Sequence, residues 1–202
     1  MADNSKKLPE KLNCLIDNTI VYYGTKTYPI YRKFNMTPND LTTISLILGL
    51  MSVYFLNNKF FILSSLFYFL SYIYDVLDGN YARKYKMVSK FGDFYDHFKD
   101  ITINLLLLYV FYNNMTFKNH TNLVIFSFII TFILFITLNI YLGCQEIYLK
   151  KHKNNKNNSD FLKFTTLLCN DKVYENMHIL RYFSTGTFAL WISFLILLNK
   201  FY

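Results

Sequence analysis

Three cysteines in 202 residues, at Cys14, Cys144 and Cys169, are too few and too unevenly spaced for a disulfide framework or a zinc site, and free thiols are expected. Acidic residues are also scarce, 13 Asp and Glu against 21 Lys and Arg. None lies in 41–74 and none between Ile101 and Gly143. A channel or divalent-cation transporter needs polar or charged groups through the depth of a membrane, so their absence argues against that class. There is no internal repeat, and no Ser-His-Asp or Cys-His arrangement that would call for a covalent intermediate. The polar opening from Met1 to Asn13 does not read as a cleaved signal.

What the chain has in abundance is apolar surface: 53% of residues are hydrophobic and 20% aromatic. Apolar stretches near 41–57, 60–77, 101–112, 122–143 and 182–199 give five expected spans of a hydrocarbon layer about 30 Å thick. A sixth span, or an interfacial amphipathic helix, is expected within 160–176, where Phe161, Leu162, Phe164, Leu167 and Leu168 gather. Residues 14–35 read as a juxtamembrane helix broken near Pro29, and 153–159 as a solvated loop of Lys and Asn. The expectation is therefore an all-α polytopic transmembrane bundle. It divides into an N-terminal cytosolic segment, 1–38, and a membrane domain, 39–202.

Basic residues orient the bundle. Seventeen of the 21 fall before the first span, between the second and third, or between the fourth and fifth, and only Lys59, Lys118 and Lys200 fall on the other side. Lys99 lies inside the third helix. Basic residues concentrate on cytosolic loops, so that side is expected in the cytosol, where it would also meet anionic lipid headgroups. The basic excess implies no nucleic-acid partner. Sequons at Asn114 and Asn119 fall on the opposite side.

Against this apolar background stands one charged constellation: Asp75-x-x-Asp78-Gly79-x-x-Ala82-Arg83, eight residues, then Gly92-x-x-x-Asp96-x-x-x-Asp100. On a helix the first set shares one face, and the second set shares a face of the next helix. Carboxylates near lipid are costly and need cations. If the two helices form an antiparallel hairpin, the four Asp side chains converge, and an all-oxygen ligand set favours Mg²⁺ or Mn²⁺ over zinc. Gly79 and Gly92 remove side chains where helices or a phosphate come close, and Arg83 has the forked donors to hold a phosphate. Asp93 reads as a solvated first-turn residue. His97 points about 100° away from Asp96 on the helix, so packing or hydrogen bonding is expected of it rather than ligation.

The constellation resembles the signature of the CDP-alcohol phosphotransferases, membrane enzymes that move a substituted phosphate from a CDP-linked donor to an alcohol and release CMP. Every signature position is filled, and the likeness extends to Thr37-Pro38-Asn39 with Thr42. It implies that Asp75, Asp78 and Asp96 bind two divalent ions, with Asp100 near them as the base. It also implies that Gly79, Ala82, Arg83 and Gly92 line the nucleotide and pyrophosphate site, beside Thr37, Pro38 and Asn39. Homodimers are common in the resembling family. The compact length is similar to the phosphatidyl-transferring branch, which uses CDP-diacylglycerol. The Asp96-His97 pair is instead similar to choline and ethanolamine phosphotransferases. Arg181, ahead of the last apolar stretch, is the remaining candidate for an acceptor phosphate or lipid headgroup, or else an interface anchor.

Overall fold

The computed structural model describes residues 7–115, 120–153, 163–169 and 172–201. The expected Lys/Asn loop, the start of the expected amphipathic helix and the sequon residue Asn119 lie outside these residues. Among the described residues every regular element is helical: α1 (Leu15–Gly24), α2 (Tyr28–Lys33), α3 (Pro38–Asn57), α4 (Phe61–Lys84), α5 (Lys90–Asn114), α6 (Thr121–Lys153), α7 (Lys163–Thr166), α8 (Val173–Leu180) and α9 (Thr185–Leu198). A 3₁₀ turn, Arg181–Phe183, joins the last two.

Among the described residues, four helical segments are long and apolar enough to cross a membrane: Pro38–Asn57, Phe61–Lys84, Thr121–His152 and Val173–Leu198. The other expected span, 101–112, is the C-terminal half of α5. That helix is 25 residues long, but Asp93, Asp96, Lys99 and Asp100 load its first half with charge. The break expected near Pro29 comes slightly earlier, between Gly24 and Tyr28, and Pro29 sits in the first turn of α2, where its missing N–H costs no hydrogen bond. Part of the expected 160–176 helix appears as the single turn α7.

The described residues form two compact units. The first holds Thr19–Val124 and the chain from Ala189 onward. Its organising helix is α3, which packs along both α4 and α5. Thr37 caps α3: its hydroxyl accepts from the Asp40 N–H, and the Asp40 carboxylate accepts from the Thr37 N–H at 2.6 Å, closing a capping box ahead of Pro38. The α3–α4 pair is antiparallel and laced by serines. Ser45 donates to the Ser71 carbonyl at 2.8 Å and Ser71 returns the bond at 2.7 Å, while Ser52 and Ser64 do the same at 2.8 and 2.9 Å. Small hydroxyl side chains let helices approach closely in an apolar medium and hold them there. On α3, Gly49 serves the α5 side, since a Cβ there would press on Ile103 at 2.9 Å. Leu56, Phe61, Ile103, Leu107, Val110 and Ile196 make the apolar core of this unit.

Below the signature residues, Tyr28, Tyr31, Tyr81 and Tyr85 pack ring on ring. The buried Tyr28 hydroxyl donates to Asn80 Oδ1 at 2.8 Å, and the Tyr81 hydroxyl donates to the Met36 carbonyl at 3.0 Å. These bonds tie α2 and the entry to α3 onto α4.

The second unit, Leu8–Asn18 with Ile125–Phe188, has its own core of Leu8, Leu12, Tyr141, Cys144, Leu149, Val173 and Met177. Here one sequence expectation is corrected: Cys144 and Cys169 are paired in a disulfide, their Cα atoms 5.2 Å apart, and Cys14 alone is free and buried. Sequence spacing could not show the pairing, because the two cysteines are 25 residues apart. They meet because Gly143 admits the backbone of α7 onto α6; a Cβ there would overlap the Thr165 carbonyl.

Candidate active site

Three helices build the site. The α4 helix carries Asp75, Asp78, Gly79, Ala82 and Arg83; α5 carries Gly92, Asp96 and Asp100; and α3 supplies a flank that the sequence only hinted at. In place of a tight α4–α5 hairpin, α3 is the shared partner of both. Its polar face therefore enters the site. Thr42 donates to Asp78 Oδ2 at 2.6 Å, fixing the most buried of the four carboxylates, whose residue is only 5% exposed. One oxygen from each of Asp75, Asp78 and Asp96 lies within 4.8 Å of the others, a spacing that suits a single hard cation held by oxygen ligands.

Asp100 is outside that trio but next to it, and is the most open of the four, with 47% of its side chain exposed. A carboxylate at the rim is reachable by an incoming hydroxyl, whereas Asp78 at the bottom is not.

The glycines of the signature have local reasons. A Cβ on Gly79 would lie 3.2 Å from Arg83 Nη1, so the glycine gives the guanidinium room to fold back over α4. A Cβ on Gly92 would lie 3.1 Å from both Asn39 Oδ1 and Ser89 Oγ. Ser89 is the N-cap of α5, and its hydroxyl accepts from the Gly92 N–H at 3.0 Å. Asn39 thus meets the start of α5, which joins the Thr37-Pro38-Asn39 corner to the second half of the signature. Further along, the Thr43 and Tyr95 hydroxyls are 3.0 Å apart.

The sequence reading passed over Lys99. Its ammonium is buried, at 2% exposure, and donates to Asp75 Oδ1, to Asp96 Oδ1 at 3.1 Å and to Ser45 Oγ at 3.4 Å; it also pairs with Asp100 Oδ1 at 3.0 Å. The signal was present: Asp96, Lys99 and Asp100 stand at i, i+3 and i+4, on one helix face. His97 points elsewhere, its Nε2 3.9 Å from Asp93 Oδ1, in keeping with the expectation that it is not a ligand.

Arg181 belongs to the second unit. Its guanidinium donates to the carbonyls of Lys11 and Glu10 at 2.8 and 3.3 Å and to the Tyr182 hydroxyl at 3.0 Å, so it anchors the N-terminal segment of that unit.

Helical membrane architecture, a convergent oxygen-ligand trio and an arginine folded over Gly79 on the same helix suit a membrane enzyme that handles an anionic substrate. The family model for CDP-alcohol phosphatidyltransferases matches residues 35–201, and the chain belongs to that family. No curated protein matches the chain, and no solved structure does. The protein is accordingly an integral membrane transferase of substituted phosphate groups, of a family that depends on divalent metal.

Proposed function

We propose that this enzyme transfers a phosphatidyl group from CDP-diacylglycerol to an alcohol, releasing CMP, at a site that opens to the cytosol. The observation that carries the reading is the convergence of Asp75, Asp78 and Asp96, with exposure rising from the buried Asp78 through Asp75 and Asp96 to Asp100. Mg²⁺ or Mn²⁺ bound by the convergent carboxylates would neutralise the diphosphate and stabilise the departing CMP. The sequence resemblance implies two such ions.

The chain's own groups supply the rest. Arg83 takes the diphosphate through its forked donors, in the space that Gly79 leaves. Ala82 and Gly92, with little or no side chain, let the nucleotide come close to the helices, and Thr37, Pro38 and Asn39 form the wall beside it. Thr42 holds Asp78 in one orientation. Asp100 accepts the proton of the acceptor hydroxyl as the oxygen forms its bond to the phosphatidyl phosphorus. The bridging P–O bond of the diphosphate then breaks, and its electron pair leaves with CMP. An Asp is a weak base for an alcohol, so proton loss and bond formation must proceed together. Of the two roles open to Arg181, a cation for an acceptor phosphate or headgroup and an anchor, its bonds to the Lys11 and Glu10 carbonyls support the anchor.

The test is CMP release by purified protein with Mg²⁺, over a panel of CDP donors crossed with acceptors such as inositol, glycerol 3-phosphate and serine. Turnover with CDP-diacylglycerol is the expected result. Turnover confined to CDP-choline or CDP-ethanolamine with diacylglycerol would replace it with the reading that the Asp96-His97 pair favours. Orientation is tested separately by Ser89→Cys in a background from which Cys14, Cys144 and Cys169 have been removed, so that position 89 is the one thiol the reagent can meet. An impermeant thiol reagent should reach position 89 only from the cytosolic face of sealed vesicles, and labelling from the other face alone would reverse the topology.

A further inference from the structure

We propose that the Lys99 ammonium is a built-in cation of the active site, filling one of two adjoining three-carboxylate positions so that the protein binds a single divalent ion at Asp75, Asp78 and Asp96. The inference rests on the transferase reading above and departs from its two-ion form.

The four carboxylates make two overlapping triads. One is Asp75, Asp78 and Asp96, whose ligand oxygens lie within 4.8 Å of one another. The other is Asp75, Asp96 and Asp100, and Lys99 Nζ sits among all three, at 3.1 Å from Asp96 Oδ1 and 3.0 Å from Asp100 Oδ1 besides its bond to Asp75. The triads share Asp75 and Asp96. A pair of cations bridged by shared carboxylates would use the same two residues in common, and the ammonium stands in the second of those positions.

Several features make it a fixture. An ammonium has three donors; Asp75, Asp96 and Ser45 Oγ accept from it, and Asp100 Oδ1 pairs with its charge at 3.0 Å. Ser45 Oγ, 3.4 Å away, is itself held on α3 by its bond to the Ser71 carbonyl, so it lends the ammonium a fixed neighbour. A lysine at 2% exposure keeps its charge only because it is paired, and moving it out would leave Asp100 and Asp75 facing each other without a counter-charge. A second divalent ion would have to displace this cation or lie against it, and like charges at such distances repel strongly away from bulk water. One divalent ion, Lys99 and Arg83 also balance the four carboxylates. Lys99 is a positioning residue in this arrangement, since it holds the carboxylates and contacts no reacting atom.

The experiment counts metal. Purified full-length protein in nanodiscs is titrated with Mn²⁺, and bound ion is followed by electron paramagnetic resonance. The wild type should take one Mn²⁺ per chain with an uncoupled spectrum, and Lys99→Met should take two, with the exchange-coupled spectrum of a close pair. A wild type that binds two coupled ions would overturn the role of Lys99 while leaving metal-dependent transfer intact. A folded Lys99→Met protein that still binds one would also overturn it, since something else would then exclude the second ion. Absence of specific Mn²⁺ binding by the wild type would remove both this inference and the metal-dependent reading. The wild-type count alone decides the matter if the variant does not fold.

Discussion

The unit that carries the aspartates and the unit that carries the paired cysteines are stabilised by different kinds of contact. In the first, the decisive partners lie on neighbouring helices: Thr42 with Asp78, Ser45 with Ser71, Ser52 with Ser64, Lys99 with Asp75. In the second they span most of the chain. Tyr141 donates to the Leu12 carbonyl at 3.0 Å, Arg181 to the Lys11 carbonyl at 2.8 Å, and Thr185 to Asp17 at 3.1 Å. Polar residues thus serve both chemistry and fastening in the first unit and fastening in the second, and the same residue type can change meaning between them. Arg83 is cleared by a glycine and faces the carboxylate side of its helix, whereas Arg181 is engaged with backbone carbonyls.

The largest effects should come from the aspartates, and they should separate the buried carboxylates from the exposed one. Asp78→Asn removes the carboxylate at the base of the site, and turnover should fall by ~10³-fold or more, as expected when charge stabilisation at a transferring phosphoryl group is lost. Asp100→Asn should also lower turnover, by ~10²–10⁴-fold for a lost general base, but should leave donor binding nearly unchanged. Donor titration beside initial rates distinguishes the two. Near-normal turnover in Asp100→Asn would remove its role as base and with it the contrast between base and rim.

These residues were legible because helix geometry converts short spacing into a shared face, so Asp75, Asp78, Asp96 and Asp100 could be read directly from a 26-residue window. The apolar runs likewise gave α3, α4, α6 and the last span. What escaped depends on distance along the chain or on a third partner. The contribution of α3 to the site arises from packing that local spacing does not encode. Lys99 was hidden for a different reason: a lysine in a helix reads as one more surface charge until its burial is known. Cys144 and Cys169 meet only because Gly143 lets two backbones touch.

The disulfide gives the next test, and it bears on topology as well as stability. Cys144→Ser opens a loop of 25 residues, for which chain entropy predicts a loss of ~3.5 kcal/mol. Thermal unfolding of the oxidised wild type and the variant should show it. Yet disulfides persist in oxidising compartments and are rare in the cytosol, where the basic-residue rule puts this side of the protein. Mass spectrometry of protein alkylated in intact membranes decides between them. A blocked pair at 144 and 169 would argue that this side faces away from the cytosol, and free thiols would uphold the proposed orientation and confine the bond to oxidising conditions.

Two glycines sharpen the contrast between fastening and chemistry at smaller magnitude. Gly143→Ala drives a methyl into the Thr165 carbonyl, and because backbone cannot swing aside, the cost should be ~2 kcal/mol of stability. Gly79→Ala meets only the mobile end of Arg83 at 3.2 Å, so the fold should tolerate it. The guanidinium is displaced instead, and the KM for the CDP donor should rise roughly tenfold, equivalent to ~1.4 kcal/mol. The expected pattern is a lower melting temperature with normal KM for Gly143→Ala and the reverse for Gly79→Ala. If both variants lost stability alike, Gly79 would be a packing residue and its place beside the donor would lose support.

The smallest expected effect concerns the serines between α3 and α4. Ser52 and Ser64 exchange bonds to each other's carbonyls at 2.8 and 2.9 Å, with their hydroxyl oxygens 3.2 Å apart. Ser45 and Ser71 repeat the arrangement nearer the aspartates. Interhelical hydrogen bonds in apolar surroundings contribute about 0.6 kcal/mol each on average, because the separated helices also find partners. Ser52→Ala removes one donor and should cost about that much, leaving turnover unchanged. Ser45→Ala removes a bond of the same kind and also the oxygen 3.4 Å from Lys99 Nζ, so its stability loss should be similar while its Mn²⁺ affinity shifts. The two substitutions are chemically identical and sit on the same face of one helix, so any difference in metal binding isolates what Ser45 does for the lysine. Equal metal affinity in both would mean that the three carboxylates alone hold Lys99 in place.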